Sequence, residues 1–211
     1  FNAVCWSTPD PDKPGEYLRS HDEKHTAQHA ATLEQLAGCY QPWIRWMRTL
    51  PLWMELGDLG GDCNRLHMVH ACWSPEAMRT LLKGECGGEA MLTGRRDAPR
   101  LTEAGYLRAG RDKDSCEYQA VEVLLKGPEI PLPGDTVFQD KDGHERNRIR
   151  VRWWLGAGET CRDMALMGED DIAALPENAR PEPECWEAIP VEYPTFFGHY
   201  WRSPSESIRL Y

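Results

Sequence analysis

The stretch RLHMVHACWSPEAMRTLLKG, residues 65–84, constrains the fold of this chain more than any other. Its first part carries the apolar alternation of a strand that ends at His70. Ser74 and Pro75 then have the N-cap and first-position chemistry of a helix running over SPEAMRTLLKG. A strand feeding a helix within twenty residues belongs to an α/β chain, and His70 falls at the junction, on the lip of a sheet where loops build sites. A second segment, YPTFFGHYW, has the same form: an apolar strand, then Gly198 and His199 in a turn. An imidazole at such a place is tolerated when both ring nitrogens find partners, and a metal ion is one such partner. Taken singly, a strand-end histidine is more often a hydrogen-bonded structural residue than a ligand.

The remaining segments fill out the same class. Ser20 to Arg48 reads as two helices broken near Gly38 and Pro42, with Leu33, Leu36, Trp43, Trp46 and Met47 at three- and four-residue steps and directed to the core. LPLWMELG reads as a strand. Residues 85–113 are rich in Gly, Arg and Asp and suggest one helix around LTEAGYLR. CEYQAVEVLLKGPE is a helix stopped by Gly127 and Pro128, and TVFQDKDGHERNRIRVRWW is two strands joined at DKDG. The acidic, proline-rich piece EDDIAALPENARPEPECWEAIP reads as a surface excursion before the last strand, YPTFF. With 211 residues, 41% of them hydrophobic, the chain is long enough for one α/β-sized domain.

Charge narrows the function classes. Acidic residues outnumber basic ones 34 to 24, giving a net charge of -10, which argues against nucleic acid or an anionic membrane surface as the main partner. No uninterrupted apolar run approaches the length of a membrane span, and no signal-peptide pattern opens the chain. The eight cysteines show no C-x-x-C spacing, which disfavours a zinc ribbon and fits reduced thiols in a cytoplasmic protein.

Four segments then carry a resemblance. VHACWSP is similar to the V-H-G-G-x-S-P stretch of calcineurin-like metallophosphoesterases, and FFGHYW is similar to their later Gly-His motif. In order and spacing, VHACW, LLKGPEIPLP, DKDGHERNRIRVRWW and FFGHYW resemble a bacterial phosphoprotein-phosphatase or diadenosine-tetraphosphatase-like branch. The resemblance implies two mixed β-sheets stacked face to face and flanked by helices. It implies a pair of divalent ions (manganese, iron or zinc), with His70 and His199 as metal ligands. It also implies hydrolysis of a phosphate ester or anhydride, the substrate being a phosphorylated small molecule such as a dinucleoside polyphosphate, or a phosphoprotein. Two ions about 3.5 to 4 Å apart would clamp the phosphate and activate water. The family's Gly-Asp-x-His-Gly, Gly-Asp-x-x-Asp-Arg-Gly and Gly-Asn-His-Glu motifs are missing; GDLGGD, residues 57–62, lacks the Asp-Arg-Gly ending, stands out of order and reads as a turn. FNA follows directly on Gly-Asn-His-Glu in that branch, so the resemblance implies the later portion of a larger domain, without its first motifs or its final strands, expected to be silent as an enzyme on its own. The rival reading is a non-enzymatic binding module built on the same fold.

Other motifs are weaker. In RNRIRVRWW, Arg146, Arg148, Arg150 and Arg152 alternate with other residues, so a straight strand would set four guanidinium groups on one face. Arginine's fork suits phosphate oxygens, which makes Arg148, Arg150 and Arg152 candidates for substrate phosphate; a solvated face paired with acids is the plainer alternative. His21, His25 and His29 recur at four-residue steps, the spacing of a helical zinc site or of an exposed helix surface beside Glu23 and Lys24. DKDGHE lacks the ligands of a calcium loop and reads as a hairpin turn. The nine tryptophans fall in apolar periodic segments, which favours core packing over base stacking.

Overall fold

Helix boundaries follow from local hydrogen-bond chemistry. In the structure, a computed structural model that describes residues 1–58, 60, 64–86, 88–139, 143–156, 158–182 and 188–200, the first long helix starts where the Asp22 carboxylate accepts the His25 N–H at 2.8 Å. Another begins where Thr102 accepts from Gly105 N at 2.9 Å. A third has a full capping box, Thr160 and Asp163 each accepting the other's backbone N–H. In chain order the elements are α1 (Asn2–Trp6), α2 (Glu23–Gln35), α3 (Tyr40–Met47), β1 (Trp53–Gly57), β2 (Arg65–Val69), α4 (Pro75–Lys83), β3 (Glu85–Cys86), β4 (Glu89–Ala90), β5 (Leu92–Arg95), β6 (Ala98–Leu101), α5 (Glu103–Arg111) and α6 (Cys116–Lys126). They continue as β7 (Glu129–Pro131), β8 (Phe138–Gln139), β9 (Glu145–Arg146), β10 (Arg148–Arg150), a 3₁₀ turn (Trp153–Leu155), α7 (Cys161–Met164), α8 (Glu169–Ala174) and β11 (Thr195–Phe197). The described residues thus form a mixed α/β protein with eight α-helices and sheets of two or three strands. No described helix is long and apolar enough to cross a membrane.

The chain divides into two compact units, Phe1–Glu55 with Pro75–Val121, and Leu56–Ser74 with Glu122–Tyr211. In the first, the helix expected around LTEAGYLR is α5, and it follows a hairpin that the sequence reading did not name. β5 and β6 form an antiparallel hairpin, Leu92 opposite Leu101 and Arg95 opposite Ala98, and Arg95 closes its turn on Asp97 through two hydrogen bonds of 2.8 and 2.6 Å. Gly105 lets α5 approach this hairpin, since a Cβ there would lie 2.3 Å from the Met91 carbonyl oxygen. The expectation that Trp43 and Trp46 face the core is corrected: α3 buries Ile44 instead, while Trp43 and Trp46 are 43% and 51% exposed and stand edge to face, ring centroids 5.5 Å apart.

In the second unit β2 and β11 are neighbouring strands of one sheet. β11 runs parallel to β2, with Thr195 opposite His67 and Phe197 opposite Val69. β10 pairs antiparallel with β7, placing Ile149 opposite Ile130; both are buried in a cluster with Leu132, Phe138, Val151 and Met164. Leu175 and Ala179 join that cluster, so the acidic, proline-rich segment is more than a surface excursion. The Ala179 carbonyl accepts from Cys161 N at 2.7 Å, and Arg162 Nε donates to the Leu175 carbonyl at 2.8 Å. β8 and β9 pair as the expected hairpin, while most of DKDG, and part of GDLGGD, lie outside the described residues.

Candidate metal centre

Parallel pairing of β2 with β11 brings two distant histidines to one sheet end. The register continues one step past Val69 and Phe197, where Gly198 N donates to the His70 carbonyl at 3.0 Å. His199 follows with φ of +68°, and Tyr200 N donates back to the Gly198 carbonyl at 2.8 Å. A bond from residue i+2 to i across a residue of positive φ marks the rarer, strained form of γ-turn. It turns the His199 ring toward His70. Nδ1 of His199 stands 3.2 Å from Nε2 of His70, although the residues are 129 positions apart, and the ring centroids are 5.1 Å apart with planes inclined by 58°. The site lies beyond the carboxyl ends of parallel strands, where α/β sheets place ligands.

Aromatic packing fixes this corner and accounts for the composition of PTFFGHY. Trp153 is fully buried and donates its indole N–H to the Ala71 carbonyl at 3.0 Å; Ala71 N in turn donates to the Leu124 carbonyl at 3.0 Å. Phe197 packs against Trp153 and Trp154 at centroid distances of 4.9 and 5.0 Å. Tyr200 packs on Trp154 at 5.3 Å and meets the His199 ring edge-on, also at 5.3 Å. The chain on either side of His199, and the residue after His70, are thereby held by large rings, a role for Trp153 and Trp154 that sequence reasoning assigned only to a general core.

The electrostatics favour neutral imidazoles. Loss of hydration lowers the His70 pKa below its ordinary value of 6.5. The same cause lowers that of His199, helped by the adjoining His70 and then by Arg150 and Lys126. Both side chains still reach solvent. Near neutral pH each ring therefore keeps a lone pair, the form in which histidine binds metals. The geometry suits a shared ion: with metal–nitrogen bonds of about 2.0–2.1 Å, adjacent ligand nitrogens are roughly 2.9 Å apart in an octahedral shell and 3.4 Å in a tetrahedral one, and 3.2 Å lies between. The two histidines fill two coordination positions. Among the described residues no group of three or more His, Cys, Asp or Glu side chains is placed to hold an ion.

The arginine row does not form one straight strand. Arg146 belongs to β9, which pairs with β8, whereas Arg148 and Arg150 flank buried Ile149 in β10. Arg148 donates to the Glu129 carbonyl and Arg150 to the Glu129 carboxylate, both at 2.6 Å, and Arg152 donates to the Asp163 carbonyl. The alternation was legible; the partners are largely backbone and Glu129. Of the three, Arg150 is the one whose charge is felt at His199.

His21, His25 and His29 do not converge. His21 precedes α2, is stacked between Trp6 and Tyr17 at 3.8 and 4.0 Å and bonds the Trp6 carbonyl through Nε2 at 2.8 Å. His25 contacts Ser20 and Asp22. His29 is buried with its ring edge on Trp6 at 4.8 Å, which also corrects the expectation of an exposed helix surface. Compared with known proteins, the chain matches no family model, no curated protein and no solved structure.

Proposed function

We propose that His70 and His199 are ligands to a divalent cation, and that the chain carries the late-histidine portion of a calcineurin-like, dinuclear metal-dependent phosphoesterase. The observation that carries this reading is the 3.2 Å approach of two imidazole nitrogens from paired strand ends. Under it, His70 Nε2 and His199 Nδ1 hold one ion, and the other donors, with the second ion of the pair, come from outside the described residues. Bound metal would supply Lewis acidity toward a phosphoryl oxygen and a more acidic water. The chain's own residues would place that ion, keep the imidazoles neutral, and add the positive field of Arg150 and Lys126 where an anion approaches. Arg150 is preoriented by Glu129 and Lys126 by Glu122. The stacked mixed sheets of that family, a phosphorylated small molecule or phosphoprotein as substrate, and a cytoplasmic setting belong to the same proposal.

Two imidazoles are a weak site by themselves, because a shell of four or more positions stays half filled. The 211-residue chain is therefore expected to bind zinc or manganese weakly, one ion per chain, with binding lost in His70→Ala and in His199→Ala, and to leave p-nitrophenyl phosphate unhydrolysed. Binding that survives both substitutions would overturn the site. Manganese-dependent turnover lost on His70→Ala would overturn the division of ligands. The competing reading, a binding module without hydrolytic role, draws on the engagement of Arg148, Arg150 and Arg152 by protein acceptors. Tungstate binding separates the two: a phosphoesterase centre makes it depend on manganese, and a module does not.

A further inference from the structure

His199 does not hold its position unaided. Its φ of +68° is a conformation that side-chain-bearing residues avoid, so the segment after it must supply what the turn itself lacks. The next residue, Tyr200, reaches across to the end of α6. A Cβ built on Gly127 would fall 2.1 Å from the Tyr200 hydroxyl oxygen, 3.1 Å from Cζ and 3.4 Å from Cε1. The phenol thus occupies the space that any other residue at 127 would need, and Gly127 itself has φ of +87°. The hydroxyl is buried and has no hydrogen-bond partner among the described residues. Trp153, whose indole N–H lies beside it, spends that donor on Ala71. The tyrosine is held there by shape, between Gly127 and the rings of Trp154 and Phe197.

We propose that Tyr200, wedged against Gly127, is the positioning residue that keeps His199 in its strained turn facing His70. The wedge stands on geometry alone, while its consequence for metal binding rests on the function proposed above. The test uses the 211-residue protein and the variants Gly127→Ala, Tyr200→Phe, Gly127→Ala/Tyr200→Phe and Tyr200→Ala. Each is read by the cross-ring nuclear Overhauser effect between His70 and His199 without metal, and by calorimetric titration with zinc. Gly127→Ala should abolish the cross-ring signal and weaken zinc by about tenfold or more, as for other residues that orient a ligand. Tyr200→Phe should leave both unchanged. The double variant, relieved of the 2.1 Å overlap but still 3.1 Å from Cζ, should recover part of the signal and part of the affinity. Recovery is the readout that backbone strain at residue 127 would not produce. Tyr200→Ala should lose the signal with Gly127 intact, and carries the test if Gly127→Ala does not fold. A cross-ring signal that persists in Gly127→Ala or Tyr200→Ala, or a double variant that recovers nothing, overturns the wedge. Variant signals that behave as stated, with zinc bound by no form of the protein, uphold the wedge and overturn the metal reading.

Discussion

Replacing Trp153 by phenylalanine isolates the polar link that ties the aromatic floor to the His70 strand end. The ring packed against Phe197 is kept, but the indole N–H that meets the Ala71 carbonyl at 3.0 Å is lost. A buried carbonyl left without its donor costs about 1–3 kcal/mol. The smaller ring leaves a void of roughly 40 Å³, worth about 1 kcal/mol more at the usual cost of unfilled volume. The sum, about 2–4 kcal/mol, falls on the unit that carries both histidines. Trp154→Phe is the control: Trp154 is half-buried, and its contacts with Phe197 and Tyr200 survive the exchange, so it should cost less than about 1 kcal/mol. Urea unfolding followed by far-ultraviolet circular dichroism measures both without relying on tryptophan emission. A Trp153→Phe cost equal to or below that of Trp154→Phe would refute the reasoning, since it would mean that the Ala71 bond contributes nothing to the site's frame.

Gly105→Ala should destabilise the first unit by about 1–3 kcal/mol despite alanine's better helix propensity, because the new methyl meets the Met91 carbonyl; thermal unfolding checks it. Thr102→Ala should cost about 1 kcal/mol from the lost cap of α5, and more if the Ala90 carbonyl, which now accepts from Thr102 at 2.8 Å, finds no other donor; the same assay applies. His70 and His199 have folded-state pKa values lowered from 6.5, so the unfolded chain binds more protons in the window below 6.5. Their contribution is present above that value and is lost as pH falls through the window. The denaturation midpoint without metal should decline there, less steeply in His70→Gln, and an equal slope in wild type and variant would contradict the assignment.

Sequence logic reached the strand ends because β2 and β11 are short apolar runs that close on a histidine, and it reached α2, α4, α5 and α6, but not the four-residue α7 despite its capping box. Periodicity alone could not place the two histidines together, since their approach depends on a parallel register between segments 129 positions apart and no local pattern specifies such a register; that expectation came from the resemblance. The β5–β6 hairpin escaped notice because Gly94, Pro99 and the Arg95–Asp97 turn mask its alternation. On α3 the three- and four-residue spacing of Trp43, Trp46 and Met47 was real, but periodicity names a stripe and not its partner. The buried stripe is the one through Ile44. The alternation of Arg148, Ile149, Arg150 and Val151 gave the correct inner face, whereas the Glu129 partner lies nineteen or more positions back along the chain. Gly127 looked like a helix stop, which it is; that Tyr200 also fills the space beside it appears only in three dimensions.

Anomalous diffraction from a manganese-soaked crystal tests the central claim most directly. The account predicts one peak between His70 Nε2 and His199 Nδ1, within about 2.0–2.3 Å of both nitrogens, and its loss in His199→Ala. Manganese bound elsewhere on the chain, with the two rings still hydrogen-bonded to each other and no density between them, would contradict it.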